Sequence, residues 1–145
     1  MASSPYWPER RNESPMKFML AVLGDPNHCP APVSAFRFAD AVLTAGHDIH
    51  RVFFYHGGVL VANALAEPPQ NEPRIADLWQ KLGNDHNIEL VTCIASASRR
   101  GIFDASEALR YGKPASSLLP GFILGGLGQL IEGILVSDRT VTFGS

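Results

Sequence analysis

"KFMLAVLG", Lys17 to Gly24, is the stretch on which the fold turns. Apolar residues run unbroken from Phe18 to Leu23, between a lysine and a glycine. A strand with one wet face alternates polar and apolar residues. A continuous apolar run that stops at a turn residue instead describes a strand covered on both faces, as in a parallel sheet between two helical layers. Parallel strands need crossovers of a dozen or more residues, so the rest of the chain should alternate helix with strand.

Working outward, it does. After the proline-rich loop "PNHCPAP", Ala35, Ala39, Val42 and Leu43 fall at i, i+4, i+7 and i+8, which predicts a helix over 33–45 with Gly46 as its C-cap. Ile49–Tyr55 is rich in β-branched and aromatic residues and predicts a second strand ending in a turn at "HGG". Residues 59–73 carry little pattern and read as one helical turn and a loop. Ile75, Leu78, Trp79 and Leu82 predict a second helix between Pro73 and Gly83. "NIELVTC" reads as a third strand ending at Cys93, and Asp104 and Glu107 have capping-box spacing for a short helix closing at Gly112. "GFILGG" supplies a fourth strand; Leu127, Leu130, Ile131 and Ile134 mark another helix, and "RTVTF" a fifth strand.

The pattern is that of a three-layer α/β/α domain with a five-stranded parallel sheet. One domain is expected over 16–145. Residues 1–15 carry three prolines, mixed charges and no apolar core, and read as a flexible extension. The apolar stretch from Leu118 to Val136 contains Pro120, Gln129, Glu132 and several glycines, so it is no clean membrane span and reads as a buried strand followed by a buried helix.

A net charge of −2 and a pI near 6.2 disfavour direct nucleic-acid binding. Two cysteines, Cys29 and Cys93, are too few for a disulfide framework and have no CxxC pairing, which fits a cytoplasmic protein. No GK[ST] motif or GxSxG elbow occurs, and Ile131 breaks GxGxxG after Gly126 and Gly128. His47, His50 and His86 lack paired ligand spacing, so neither a metal nor an organic cofactor is expected.

In an open parallel sheet, reactive groups gather beyond the carboxyl ends of the strands. That edge holds Gly24 with "DPNHC", Tyr55 with His56, Cys93, and Gly125 with Gly126. Cys93 is the foremost candidate: small residues follow it, and a helix start there, with Arg99 and Arg100 nearby, would favour a thiolate. Cys93 as a small hydrophobe filling the core is the competing reading, and the residues by themselves leave both open. His56 is a candidate donor at the same edge. Cys29, between two prolines, has only His28 beside it.

Four segments in order, "FRFADAVLTAGHDIHRVFFYHGGV", "VTCIASASRRGIFDASEA", "GLGQLIE" and "SDRTVTFG", resemble the DsrE/TusD family of small sulfur-relay proteins. The resemblance runs from Met16 to Gly144. It implies a persulfide carried on Cys93 and no cofactor; Arg99, Arg100 and His56 are candidates for support by their place at the same edge. It further implies a heterohexamer with two related subunits (TusB/TusC-like or DsrH/DsrF-like), a TusA-like sulfur donor and a TusE/DsrC-like acceptor. The task implied is sulfur transfer toward 2-thiouridine at the tRNA wobble position, with no direct nucleic-acid contact. Dissimilatory sulfur oxidation and a non-catalytic scaffold role are the alternatives, and a small-ligand module is a further one. Neither the "NHCP" loop nor residues 1–15 belong to the pattern.

Overall fold

The computed structural model describes residues 14–144. All but the last two residues of the expected extension lie outside them. The elements are β1 (Lys17–Val22), α1 (Ala31–Thr44), β2 (Asp48–Phe54), a 3-10 segment (His56–Ala62), α2 (Ile75–His86), β3 (Glu89–Cys93), α3 (Ile94–Ser98), α4 (Ala105–Arg110), β4 (Phe122–Gly125), α5 (Leu127–Val136) and β5 (Arg139–Phe143). The five strands form one parallel sheet in the order β4-β3-β2-β1-β5. Among the described residues no helix is long and apolar enough to cross a membrane.

Strand alternation assigns each side chain to a face. Phe18, Val52, Phe54, Leu90 and Phe122 face the α1/α2 layer. Trp79 of α2 is fully buried there, edge-on to Phe36 of α1 and Phe54 of β2. Such aromatic contacts add about 1 kcal/mol each beyond burial. The opposite face carries Met19, Arg51, Phe53, Glu89, Val91 and Cys93, and α5 packs on it through Gly133, whose missing side chain leaves room for the Met19 thioether.

The structure corrects four readings. First, α1 begins at Ala31, two residues early, because Pro32 in the first turn lacks an N–H the helix would leave unbonded anyway. The turn expected at "HGG" opens a 3-10 segment instead. Gly83 does not stop α2: an added Cβ would stand 3.0 Å from Leu90 Cδ1, so this glycine serves close helix-to-sheet packing, and the helix ends at Asn87 in the left-handed region (φ 53°). Finally, α5 is not buried. Only Gly133 of its ten residues is, while Leu127, Ile131, Ile134, Leu135 and Val136 are exposed.

One ionic cluster ties α5 to the sheet. Arg51 of β2 is buried; its Nε donates to Glu89 of β3 at 2.7 Å, and its Nη1 donates to Glu132 and, at 2.7 Å, to the Gln129 carbonyl, both on α5. His50 Nε2 lies 3.2 Å from Glu132. His50 and Arg51 together hold the Glu132 carboxyl below its ordinary pKa. A depressed carboxylate pKa contributes stability that is present above the ordinary value and lost as pH falls through the lowered one. Hydrogen exchange of α5 amides, corrected for intrinsic rates, should therefore stay constant from neutral pH into the ordinary carboxylate range and rise only below it. Loosening of α5 already in mild acid would contradict the assignment.

Candidate functional site

Cys93 is the last residue of β3 and caps the start of α3, with no loop between strand and helix (φ −58°, ψ 119°). The small residues Ala95, Ser96, Ala97 and Ser98 let α3 pack close to the 3-10 segment directly after the strand. Cys93 is 2% exposed and pairs in register with Gly125 of β4. Gly125 presents no side chain on the Cys93 face. The Gln129 carboxamide of α5 fills that place: its Oε1 lies where a Cβ on Gly125 would stand, with Val91 packed alongside.

The other expected residues gather one step away. His56, in a left-handed conformation (φ 49°), donates its backbone N–H to Ser96 Oγ at 3.2 Å. Arg100 Nη1 donates to the Ser96 carbonyl at 3.1 Å. His56 and Arg100 line a cleft of about 500 Å³ with Leu23, Asp25, Gly57 and Gly144, over the carboxyl ends of β1 and β5. Ser96, three residues after Cys93, is buried and bonds to both His56 and Arg100. Asp25, in the cleft wall, accepts from the Asn27 N–H and from His28. Its pKa lies below the ordinary value because these hydrogen bonds outweigh the opposing effect of partial burial, which is the largest single influence.

Arg99 is exposed on the surface and does not line the cleft. Cys29 is half-buried at the same edge, its sulfur in the space a Cβ on Gly24 would need. A groove of about 520 Å³ beside Leu60, Pro68 and Arg74 is lined by neither cysteine nor histidine. Among the described residues, no group of three His, Cys, Asp or Glu side chains is placed to hold a metal ion.

Ser96 and Gln129 were not legible as site residues. Ser96 is one of four small residues in a row, and Gln129 lies 36 positions from Cys93. The β3–β4 register and the Arg51 contacts that hold α5 to the sheet together bring it to the cysteine.

Comparison with known proteins agrees with this architecture. The DsrE/DsrF-like family model matches residues 16–143. The chain is 45% identical over 129 residues to DsrE of Allochromatium vinosum, covering 89% of this chain and 99% of that protein. It is 45% identical over 128 residues to sulfurtransferase TusD of Serratia proteamaculans, covering 88% and 99%. The crystal structure of the ychN protein from E. coli superposes with a TM-score of 0.70 at 19% identity, over 88% of this chain and 99% of that one, a likeness of fold. With a family match across nearly all of the domain and relatives of this identity, the chain belongs to the DsrE/DsrF-like family.

Proposed function

We propose that this protein is a sulfurtransferase subunit that accepts sulfur as a persulfide on Cys93 and relays it to an acceptor protein thiol. The observation that carries the reading is the place of Cys93, at a strand-to-helix junction on the carboxyl edge of the sheet, in a chain whose 45%-identical relatives include a TusD sulfurtransferase. The Cys93 thiolate attacks the outer sulfur of a donor persulfide. The donor S–S bond breaks, the donor leaves as a thiolate, and a new S–S bond forms on Cys93. An acceptor thiolate repeats the exchange in the forward direction, so no external oxidant or reductant is consumed. The chemistry uses no metal or organic cofactor.

Cys93 is buried in the isolated chain, so exchange requires α3 or the 3-10 segment to yield, or a partner to open them. Arg100 and His56, lining the adjacent cleft, are suited to receive the partner segment that presents the reacting sulfur; exposed Arg99 is suited to docking. The destination is sulfur transfer in the cytoplasm toward 2-thiouridine at the tRNA wobble position, through protein carriers and not by tRNA contact. The equal identity to DsrE of Allochromatium vinosum favours a second reading, sulfur oxidation by the same chemistry. Neighbouring sulfite-reductase genes would support it; their absence supports tRNA thiolation.

The exposed apolar side chains of α5, with Ile123 on edge strand β4, support assembly with two related subunits in a heterohexamer, since apolar patches of this kind mark protein contacts. Co-expression with the adjacent family members should give a hexamer, two copies of each subunit, by native mass measurement; a stable lone monomer would count against it. The relay itself is tested by incubating the complex with a persulfide-loaded TusA-like donor and reading intact mass. The expected result is the gain of one sulfur atom on this chain, and no gain overturns the proposal.

A further inference from the structure

We infer that Gln129 is the hydrogen-bond donor that holds the outer sulfur of the Cys93 persulfide, a role resting on Cys93 as the carrier. Cys93 and Gly125 are in-register neighbours on β3 and β4, and strand alternation turns both toward α5. Adjacent strands are about 4.8 Å apart. Because Gly125 has no side chain, the Gln129 carboxamide drops from α5 onto the sheet beside the cysteine. A persulfide extends the side chain by one S–S bond, about 2 Å, which brings its terminal sulfur within reach of that carboxamide. The carboxamide oxygen occupies the place over Gly125; turning the amide about its last side-chain bond presents its N–H to the anionic outer sulfur, the form in which the persulfide rests before an acceptor thiolate takes it.

The amide is held in place. The Gln129 carbonyl accepts from Arg51, which is itself fixed by Glu89 and Glu132, so the ionic cluster sets the height of the first turn of α5 over the sheet. The Gln129 N–H bonds to the Gly126 carbonyl. The side-chain carboxamide takes part in neither of these main-chain contacts. The ionisable groups around it are His50, Arg51 and Tyr55 from β2 and its end, Glu89 and Cys93 from β3, and Glu132 from α5; His56 begins the 3-10 segment beyond Tyr55.

The test uses the assembled complex in a Cys29→Ser background, with Gln129→Leu and Gln129→Glu as shape-matched variants. Two rates are read against pH: sulfur loading of Cys93 from the persulfide donor, and alkylation of Cys93 by iodoacetamide. Gln129→Leu should slow loading about fivefold, the loss of one hydrogen bond. Gln129→Glu should slow it further and recover as the new carboxylate is protonated, and should move the alkylation profile to higher pH, because a negative charge beside the sulfur disfavours the thiolate. Wild-type rates in both variants overturn the inference. So does equal slowing in both without pH dependence, which is the signature of packing alone. The alkylation profile needs no sulfur transfer: if wild type gains no sulfur yet the Glu variant shifts that profile, the carrier reading fails while the placement of Gln129 beside Cys93 stands.

Discussion

Replacing Cys93 with serine should abolish sulfur acceptance by the complex while leaving its assembly intact and lowering the melting temperature by only a few degrees, the cost of burying a hydroxyl where the thiol stood. The two side chains differ by one atom, and the serine fits the same place at the end of β3. An alkoxide is inaccessible at neutral pH, however, and a hydroxyl cannot stand in for the thiolate in S–S exchange. Intact mass after exposure to the persulfide-loaded donor should show one added sulfur on wild type and none on Cys93→Ser. Cys29→Ser should load as wild type does. If Cys93→Ser gains sulfur equally well, Cys93 is a packing residue and the relay assignment is wrong. If the variant fails to assemble, circular dichroism and native mass on the isolated chain distinguish a folding defect from lost chemistry.

The second large effect is on stability. Gly58 is buried in the 3-10 segment and donates its N–H toward the Leu23 and Tyr55 carbonyls at 3.1 and 2.9 Å. A Cβ there would fall well inside van der Waals contact of the Val22 carbonyl oxygen. Val22 belongs to β1, paired on both sides by β2 and β5, so that oxygen cannot give way without disturbing the centre of the sheet. Gly58→Ala should cost about 3 kcal/mol and lower the melting temperature by about 10 °C. Gly128→Ala is the matched control: it lies on α5 with open space around its Cβ position and should be neutral or slightly stabilising. Equal effects from the two substitutions would mean that the contact with Val22 is not what makes a glycine necessary at 58.

The strands were legible because each is a compact apolar or β-branched run, and a run such as Phe18–Leu23 admits few other interpretations. Asp104 was legible as a cap for a local reason: its side chain accepts from the Glu107 N–H at 2.8 Å, a contact spanning three residues. Glycines were harder to read. Gly83 looked like punctuation and proved to be a packing residue, and nothing near it in the sequence distinguishes the two uses; the difference lies in Leu90 across the helix–sheet contact. The exposure of α5 was hidden because an apolar helix looks the same whether its cover comes from its own chain or another. The position of Cys93 could be read, whereas its burial and its neighbour Gln129 depend on strand register and helix height, which are properties of pairs of elements.

Strand order carries a further consequence, for the time course of folding. β5 pairs with β1, and the Asp138 carboxylate accepts from the Lys17 N–H across 121 residues. During synthesis, β2, β3 and β4 can add outward from β1 one after another, while the opposite side of β1 has no partner until β5 has been made. Closing so long a loop is entropically slow, and an apolar strand with a free edge is a template for pairing between chains. The interval before β5 docks is thus when this protein is most exposed to aggregation, and substitutions that weaken β5 should lower the yield of soluble protein more than they lower the stability of the finished fold.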